Sequence, residues 1–248
     1  ATYTTIPVSI GCVKGNFNDA MEEITNYRRI ACIKPHRDNI NCPVIFNDYM
    51  NCLKADPTTE KVLPLVNRSS EIGCDYYVMD AGWYAELNQS WWDLVGEYKP
   101  NPDRFPNGIN EVMDSIRKKG MKPGIWLEIE RIGINSPISK KPDDWFFLRH
   151  GKRVINNHSY LLDFTNPEVI KHVNEIVDRC VIEYGVKYFK LDYNVNALSG
   201  NENDAESPGQ GLLNHQRSYL RWVETLHQKY PCLVIENCSS GGCRMDYA

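Results

Sequence analysis

Short apolar runs alternate along the chain with longer amphipathic stretches. The runs are six or seven residues long and lie at residues 44–49, 75–80, 122–128, 187–192 and 233–238. A run of this length between turn residues predicts a strand, whereas the stretches between the runs repeat their apolar residues at helical spacing. The pattern therefore predicts five strands with one helix in each connection, at residues 56–73, 108–119, 166–184 and 210–230.

Turn and capping residues refine these elements. Asp56-Pro57 predicts the start of the first of these helices, and Pro64 inside it predicts a kink. Gly120 and Gly185 stand where the next two helices should end. Tyr160–Phe164 is either a further strand or an ordered arm of the loop after the third strand. We favour the arm, because no helix follows the third strand before this segment.

Alternating strands and helices predict parallel βαβ units with right-handed connections. A chain of 248 residues has the usual size of one α/β barrel, although five units do not close an eight-stranded one. We therefore expect residues 43–248 to form roughly the first five βα units of a (β/α)8 TIM barrel, truncated at the C-terminus. Residues 1–42 hold β-rich fragments at Tyr3–Ile10 and an amphipathic stretch at Asp19–Ile30. They are expected to be a lead-in segment from a preceding β-rich domain.

Composition excludes several classes of partner. The formal net charge of -4 and the pI of about 5.9 give no basic surface for nucleic acid or an anionic membrane. No apolar run approaches the roughly 18 residues of a membrane span, and the first residues do not resemble a signal peptide. The nine cysteines lack C-x-x-C spacing, which favours reduced thiols in a cytoplasmic protein.

Three polar side chains share one face of the fourth predicted strand. Side chains two apart on a strand point the same way, so Lys190, Asp192 and Asn194 converge at its carboxyl end. A parallel barrel binds its ligands at that end of its strands, and we expect the chemistry to centre on Asp192. Polar groups also follow the other predicted strands, at Asp80, Glu128, Glu130, Glu236 and Asn237.

The remaining candidates at this rim are aromatic. Tyr49, Trp83 and Trp126 either offer flat faces to the C–H side of a sugar or fill the core. Gathered carboxylates suit a polyhydroxylated substrate or a metal ion. None of the six histidines stands at a predicted strand end, so we expect no metal and no other cofactor.

Several motifs together carry a resemblance to a known family. They occur in the order and spacing of the α-galactosidases of glycoside hydrolase family 36, and the match runs from about Val44 to the end. One further segment, Asn101 to Gly108, resembles that family's loop ahead of the second helix. The motifs are Asp80-Ala81-Gly82-Trp83, Gly124-Ile125-Trp126-Leu127-Glu128, Leu162-Asp163-Phe164-Thr165-Asn166-Pro167-Glu168, Lys190-Leu191-Asp192-Tyr193-Asn194 and the run from Glu236 to Asp246.

The resemblance implies a catalytic (β/α)8 barrel and a retaining α-glycosidase mechanism. It implies that Asp192 is the nucleophile, and Lys190 on the same face would favour its ionised form. A retaining enzyme needs a second carboxyl roughly 5 to 5.5 Å away as acid and base. The family places that aspartate in a segment that we expect beyond Ala248, so Asp246 is interpreted as a structural carboxylate. The implied substrate-binding residues are Asp80, Trp83, Trp126, Lys190, Asn194, Cys238, Gly241 and Tyr49.

Departures from the family pattern bear on the sugar. Ala81 stands where most members have a second aspartate, Tyr49 replaces a tryptophan, and an arginine is replaced near Asn157-His158. Cys238 and Gly241 match the wall beside the sugar O2, which favours a 2-hydroxyl over a bulky 2-acetamido group.

The expected activity is hydrolysis of terminal α-linked galactose through a covalent glycosyl-aspartate, with a small carbohydrate as partner. The alternatives are an α-N-acetylgalactosaminidase or another α-glycosidase, a catalytically inactive carbohydrate-binding barrel, and a metal-dependent lyase or hydrolase. A homo-oligomer of the full-length protein stays open.

Overall fold

The computed structural model describes residues 5, 8–32, 36, 38–196 and 199–243. Within these residues the strands, β1 to β10 in chain order, are Ile45–Asn47, Tyr76–Met79, Lys122–Leu127, Arg131–Gly133, Leu148–Arg149, Lys152–Arg153, Ile155–Asn156, Ser159–Leu161, Tyr188–Leu191 and Val234–Asn237. The α-helices, α1 to α7, are Phe17–Tyr27, Asp38–Asn41, Thr59–Glu71, Trp91–Leu94, Asn110–Lys118, Pro167–Asp178 and Pro208–Lys229.

The main sheet contains five parallel strands in the order β1-β2-β3-β9-β10. The helices α3, α5, α6 and α7 lie in the four connections between them. The predicted alternation of strands and helices is confirmed, because each strand pairs with the strand of the next βα unit. After α6 the chain continues through one π-helical stretch, Arg179–Glu183, before it reaches β9.

The two faces of the sheet have different surroundings. Tyr77 and Met79 on β2 and Phe189 on β9 belong to the large core, which also holds apolar side chains of α3, α5, α6 and α7. Tyr76 and Tyr188 alternate with them and form a separate small cluster with Val78. Since side chains alternate along a strand, this second face is the one that leads to the polar groups at the strand ends.

The helix α3 begins two residues later than its sequence predicted. Thr58 is the N-cap, and its hydroxyl accepts the N–H of Lys61 at 3.3 Å. Asp56 instead forms ion pairs with Lys61 and, at 2.7 Å, with Arg104. The helix then continues through Pro64 to its last residue, Glu71. Asp56, which was expected to cap the helix, therefore connects α3 to the loop after β2 through these two ion pairs.

Arg104 is the buried centre of that junction. It is 3% exposed, and its guanidinium donates to the carbonyl of Ala85 at 2.6 Å as well as to Asp56. Close by, the turn after β2 passes so near the chain at residue 55 that a Cβ on Gly82 would lie 2.0 Å from the Ala55 carbonyl oxygen. The loops after β1 and β2 are therefore tightly fitted to each other.

The segment predicted as an arm does stay outside the main sheet. The strand β8 pairs antiparallel with β4 and β7, while β5 and β6 form a separate hairpin. The loop after β9 is fastened to this arm through Asp163, which accepts hydrogen bonds from Asn201 at 2.7 Å and Asn203 at 3.3 Å. The prediction of an arm at Tyr160–Phe164 is confirmed.

The last described residues of the segment predicted as a lead-in contact the main sheet. Asp38 in α2 accepts a hydrogen bond from the Tyr76 hydroxyl and lies 3.6 Å from the Lys122 ammonium. The β-rich fragment predicted at Tyr3–Ile10 lies partly outside the described residues, and the described residues of that stretch, Thr5 and residues 8–10, are in no strand. Among the helices that the structure describes, none is long and apolar enough to cross a membrane.

Candidate active site

The carboxyl ends of the five parallel strands bring a set of polar and aromatic side chains to one edge of the sheet. Each comes from a position that alternates with the core-facing residues of its strand, which is why the set shares a face. The strands β9 and β10 contribute two neighbours directly, since the Cys238 N–H bonds to the Leu191 carbonyl at 2.8 Å. The set comprises Asn47, Asp80, Trp126, Lys190, Asp192 and Cys238.

Asp192 is the carboxylate at the centre of this edge. It is 9% exposed, accepts the Trp126 indole N–H at 3.0 Å and accepts the Tyr193 backbone N–H at 2.9 Å. Burial raises the pKa of Asp192, but hydrogen bonds from Asn194, Trp126 and Cys238 outweigh it, so the pKa is lowered overall. Asp192 is therefore ionised at neutral pH and points an acceptor into the site.

Lys190 pairs with a different carboxylate from the one the sequence suggested. Its ammonium lies 2.8 Å from Asp80, which also accepts from the Asn47 side chain at 2.7 Å. Burial is the largest single effect and lowers the pKa of Lys190, but the charge and hydrogen bond of Asp80, together with the nearby Cys238 and Asp192, raise this pKa overall, so the lysine stays charged. The hydrogen bonds that Asp192 accepts, rather than the charge of Lys190, keep the pKa of Asp192 low.

A second buried carboxyl, Asp48, supports Asp80 from behind and was missed by sequence reasoning. It is 1% exposed, and it accepts the Asp80 backbone N–H at 2.8 Å and the Tyr77 hydroxyl at 3.2 Å. Burial is the main reason that its pKa rises to about 7, and the nearby charge of Asp80 adds to the effect. Its position directly after β1 could have indicated a site residue. Because side chains alternate along a strand, however, Asp48 points towards the core, opposite to Asn47.

The two predicted rim tryptophans are both buried. Trp126 is 1% exposed and reaches the site through its N–H to Asp192. Trp83 is 0% exposed, donates to the Trp126 backbone carbonyl at 3.2 Å and packs against Tyr84 and Tyr98. As placed, Trp83 has no surface for a sugar, so its sequence-based role as a binding residue is corrected to one of supporting β3.

Partly exposed aromatic rings lie at the mouth of the site instead. Tyr49 is half-buried, and burial and the charge of Asp80 raise the pKa of its hydroxyl. Its ring contacts Trp91 edge-on with centroids 6.4 Å apart, and Trp91 contacts Trp126 with centroids 5.5 Å apart. Trp91 and its neighbour Trp92 were not singled out from the sequence, because the short helix α4 that holds them stands in a long connection without clear periodicity.

Asn194 is fixed by a buried ion pair. Glu128 is 0% exposed and accepts the Asn194 backbone N–H, with the Asn194 side-chain nitrogen 3.4 Å from its other oxygen. Burial raises the pKa of Glu128, although Arg131, 2.9 Å away, counteracts it. The Ser240 hydroxyl completes the arrangement with a 2.7 Å bond to the Asn194 side-chain oxygen.

The turn after β10 closes the other side of Asp192. The pKa of the Cys238 thiol is raised to about 11, chiefly by burial, and the thiol bonds to Asp192 in its protonated form. Gly241 has φ +90° within this turn, a conformation that suits glycine, and its carbonyl accepts the Ser239 N–H at 3.0 Å.

Asp246 lies outside the described residues. No cluster of three or more potential metal ligands occurs in the described part of the chain.

A parallel βα sheet with buried carboxylates, a lysine and aromatic rings at the carboxyl ends of its strands defines a barrel-type active site. The particular family follows from comparison with known proteins. The family model described as Melibiase matches residues 2–248, and the chain belongs to this family, that of the glycoside hydrolase family 36 α-galactosidases. The expected family resemblance is thus confirmed.

Several relatives carry names and structures. The chain is 27% identical over 207 residues to the α-galactosidase Mel36A of Lactobacillus acidophilus, covering 82% of this chain and 28% of that protein. It is 28% identical over 210 residues to α-galactosidase 2 of Pediococcus pentosaceus, covering 84% and 29%. The crystal structure of the α-galactosidase AgaA of Geobacillus stearothermophilus matches with a TM-score of 0.74 at 22% identity, covering 83% and 29%. The chain therefore spans less than a third of these relatives and has the expected fold, part of a (β/α)8 barrel.

Proposed function

We propose that this chain is the nucleophile-bearing part of a retaining α-glycosidase that releases terminal α-linked galactose from oligosaccharides or glycosides. The observation that carries the proposal is Asp192, an ionised carboxylate at the carboxyl end of a barrel strand, oriented by Trp126, Asn194 and Cys238. The names of the relatives agree with it, and structures of AgaA variants hold stachyose and raffinose. Residues 1–42 would then be a lead-in from a preceding domain, with the barrel at residues 43–248.

In the proposed reaction, an Asp192 oxygen attacks the anomeric carbon of the sugar. A bond forms between that oxygen and the carbon, and the bond to the leaving-group oxygen breaks. A second carboxylic acid gives its proton to the departing oxygen and later takes a proton from the water that hydrolyses the glycosyl-aspartate. We propose that this acid and base is supplied beyond Ala248. The hydrogen bonds to Asp192 support the nucleophile role because they keep it deprotonated without blocking the site edge.

The same arrangement supports roles for its neighbours. Asp80 and Lys190, paired at 2.8 Å, offer an acceptor and spare ammonium donors to sugar hydroxyls. Asn194, Cys238 and Gly241 would line the side of the sugar nearest to Asp192, with Tyr49 contributing its partly exposed ring and Trp126 the edge that carries its N–H. A thiol in contact with Asp192 leaves little room beside the anomeric carbon, which favours galactose over N-acetylgalactosamine.

The test is made in the complete enzyme with Asp192→Asn and Asp192→Ala. We expect turnover of an aryl α-galactoside to fall by about 10⁴-fold or more, because the covalent step is lost. A 2-fluoro-galactosyl inactivator should add one sugar to the peptide that carries Asp192, as located by mass spectrometry. The matched control is Asp103→Asn, which changes an exposed aspartate in the loop after β2 and should leave turnover unchanged.

Three results would contradict the proposal. Unchanged turnover in the Asp192 variants would remove the nucleophile assignment. Labelling at another residue would move the reaction away from β9. Faster hydrolysis of an aryl α-N-acetylgalactosaminide than of the galactoside would keep the mechanism but replace the donor sugar.

A further inference from the structure

A line of touching tryptophan rings runs from the proposed nucleophile to the protein surface. Trp126 donates its N–H to Asp192, and its ring meets Trp91 edge-on with centroids 5.5 Å apart. Trp91 in turn meets Trp92 edge-on with centroids 5.1 Å apart. Trp126 is almost completely buried, whereas Trp91 and Trp92 are half-buried. The line therefore opens towards solvent with increasing distance from Asp192.

Trp92 lies in the short helix α4 of the connection after β2, and several contacts fix its ring. Its indole N–H donates to the Asn157 carbonyl at 2.6 Å, which ties the loop after β2 to the arm. The Arg131 guanidinium lies 3.6 Å from its ring centroid, and Arg131 is anchored by a 2.7 Å bond to the Ser159 hydroxyl. A tryptophan fixed in this way loses little conformational freedom when a ligand covers it.

The rings also have the chemistry of a sugar platform. Binding sites for small molecules combine aromatic walls with a few fixed polar groups. Arg131 is completely buried and paired with Glu128, so the platform presents no free charge from beneath Trp92. A neutral saccharide, which has apolar C–H faces and uncharged hydroxyls, suits this surface.

We propose that Trp91 and Trp92 form the binding site for the leaving-group saccharide, the part of the substrate that departs when Asp192 attacks. The inference rests on the proposed function and adds the class of leaving group that the enzyme selects. Before the attack, the galactose unit lies beside Asp192 and Trp126, and the leaving-group saccharide that its anomeric carbon still carries extends along the tryptophan line. When the Asp192 oxygen bonds to that carbon, the bond to this saccharide breaks and the saccharide departs. The enzyme is then built for oligosaccharides rather than for galactosides with small leaving groups.

The test compares two substrates that differ in the leaving group alone. One is α-galactosyl fluoride, whose fluoride cannot cover an aromatic ring, and the other is raffinose, whose leaving group is a disaccharide. In the complete enzyme, Trp92→Leu and Trp91→Leu should lower kcat/KM for raffinose by about tenfold, mainly through KM, which corresponds to roughly 1.4 kcal/mol. The value for α-galactosyl fluoride should stay within about twofold.

Trp145→Leu is the matched control. Trp145 also carries a cation over its ring, Lys141 at 4.7 Å, but its ring partner is His172 in α6. This variant should affect both substrates equally.

Equal changes for both substrates in the Trp91 and Trp92 variants, or no change in either, would overturn the inference. If the wild-type enzyme cleaves α-galactosyl fluoride but not raffinose, the proposed function stands and the inference falls; if it cleaves neither, the proposed function fails.

Discussion

Asp48 gives the sharpest quantitative prediction, because it is a carboxyl that folding places almost entirely out of water. It is 1% exposed and its pKa is raised from an ordinary 3.8 to about 7. The variant Asp48→Asn keeps the shape and the acceptor for the Asp80 N–H. Its amide nitrogen can donate to the Tyr77 hydroxyl oxygen, which accepts as readily as it donates. The change therefore removes the ionisation and little else.

The expected gain in stability follows from the pKa in the two states. The folded state keeps its proton up to about pH 7, whereas the unfolded chain loses it near 3.8, so ionisation favours unfolding as pH rises between these values. At pH 8 the carboxyl costs about 4 kcal/mol, and at pH 5 it costs about 2 kcal/mol. Asp48→Asn should raise the free energy of unfolding by up to these amounts, and more at pH 8 than at pH 5.

The assay is thermal unfolding of the complete enzyme and its variants at both pH values. Asp38→Asn is the control of opposite sign, because a hydrogen bond from Tyr76 lowers the pKa of Asp38 and its ionised form stabilises the fold. That control should lower the unfolding temperature at pH 8. If Asp48→Asn destabilises the protein at pH 8, or if its effect is the same at pH 5 and pH 8, folding does not raise the pKa of Asp48 and the reasoning is refuted.

Two further predictions concern the junction of the loops after β1 and β2. Gly82→Ala should destabilise the fold by roughly 3 kcal/mol, since φ is +94° and the new Cβ would clash with the Ala55 carbonyl. The control is Gly209→Ala, where the added Cβ has open space. Equal unfolding temperatures for the two variants would contradict the clash. Arg104→Lys should cost about 2 to 4 kcal/mol in urea unfolding because a lysine cannot reproduce the buried guanidinium contacts. Arg221→Lys on the exposed side of α7 should be nearly neutral, and a neutral Arg104→Lys would show that the junction does not depend on the guanidinium.

The sequence predicted the positions of Asp80, Lys190 and Asp192 well because alternation along a strand is a local property. Each of these residues stands at the carboxyl end of an apolar run, and parallel pairing of the runs brings the ends together. The same logic predicted the arm at Tyr160–Phe164, since no helix stands between the third strand and this segment, as a further βα unit would require. The spacing of apolar residues and the order of strands and helices along the chain were sufficient to predict these features.

Other features depend on contacts that no local pattern encodes. Asp48 follows β1 directly, but its importance comes from the Asp80 backbone N–H on the neighbouring strand. Trp83 and Trp92 are both tryptophans of the same connection, yet one is completely buried and the other half-buried. The burial of each ring depends on how this connection packs against β3 and the arm, which sequence position alone does not encode.

The bond between the Trp126 indole and Asp192 also gives this site an optical signal. The emission of an indole depends on the charge beside its nitrogen, and here that charge is the carboxylate proposed to react. When Asp192 becomes an ester, the negative charge next to Trp126 disappears, whereas the surroundings of distant rings such as Trp145 do not change. Tryptophan emission recorded in a stopped-flow instrument would thus follow the formation and hydrolysis of the glycosyl-enzyme in real time, with no label attached.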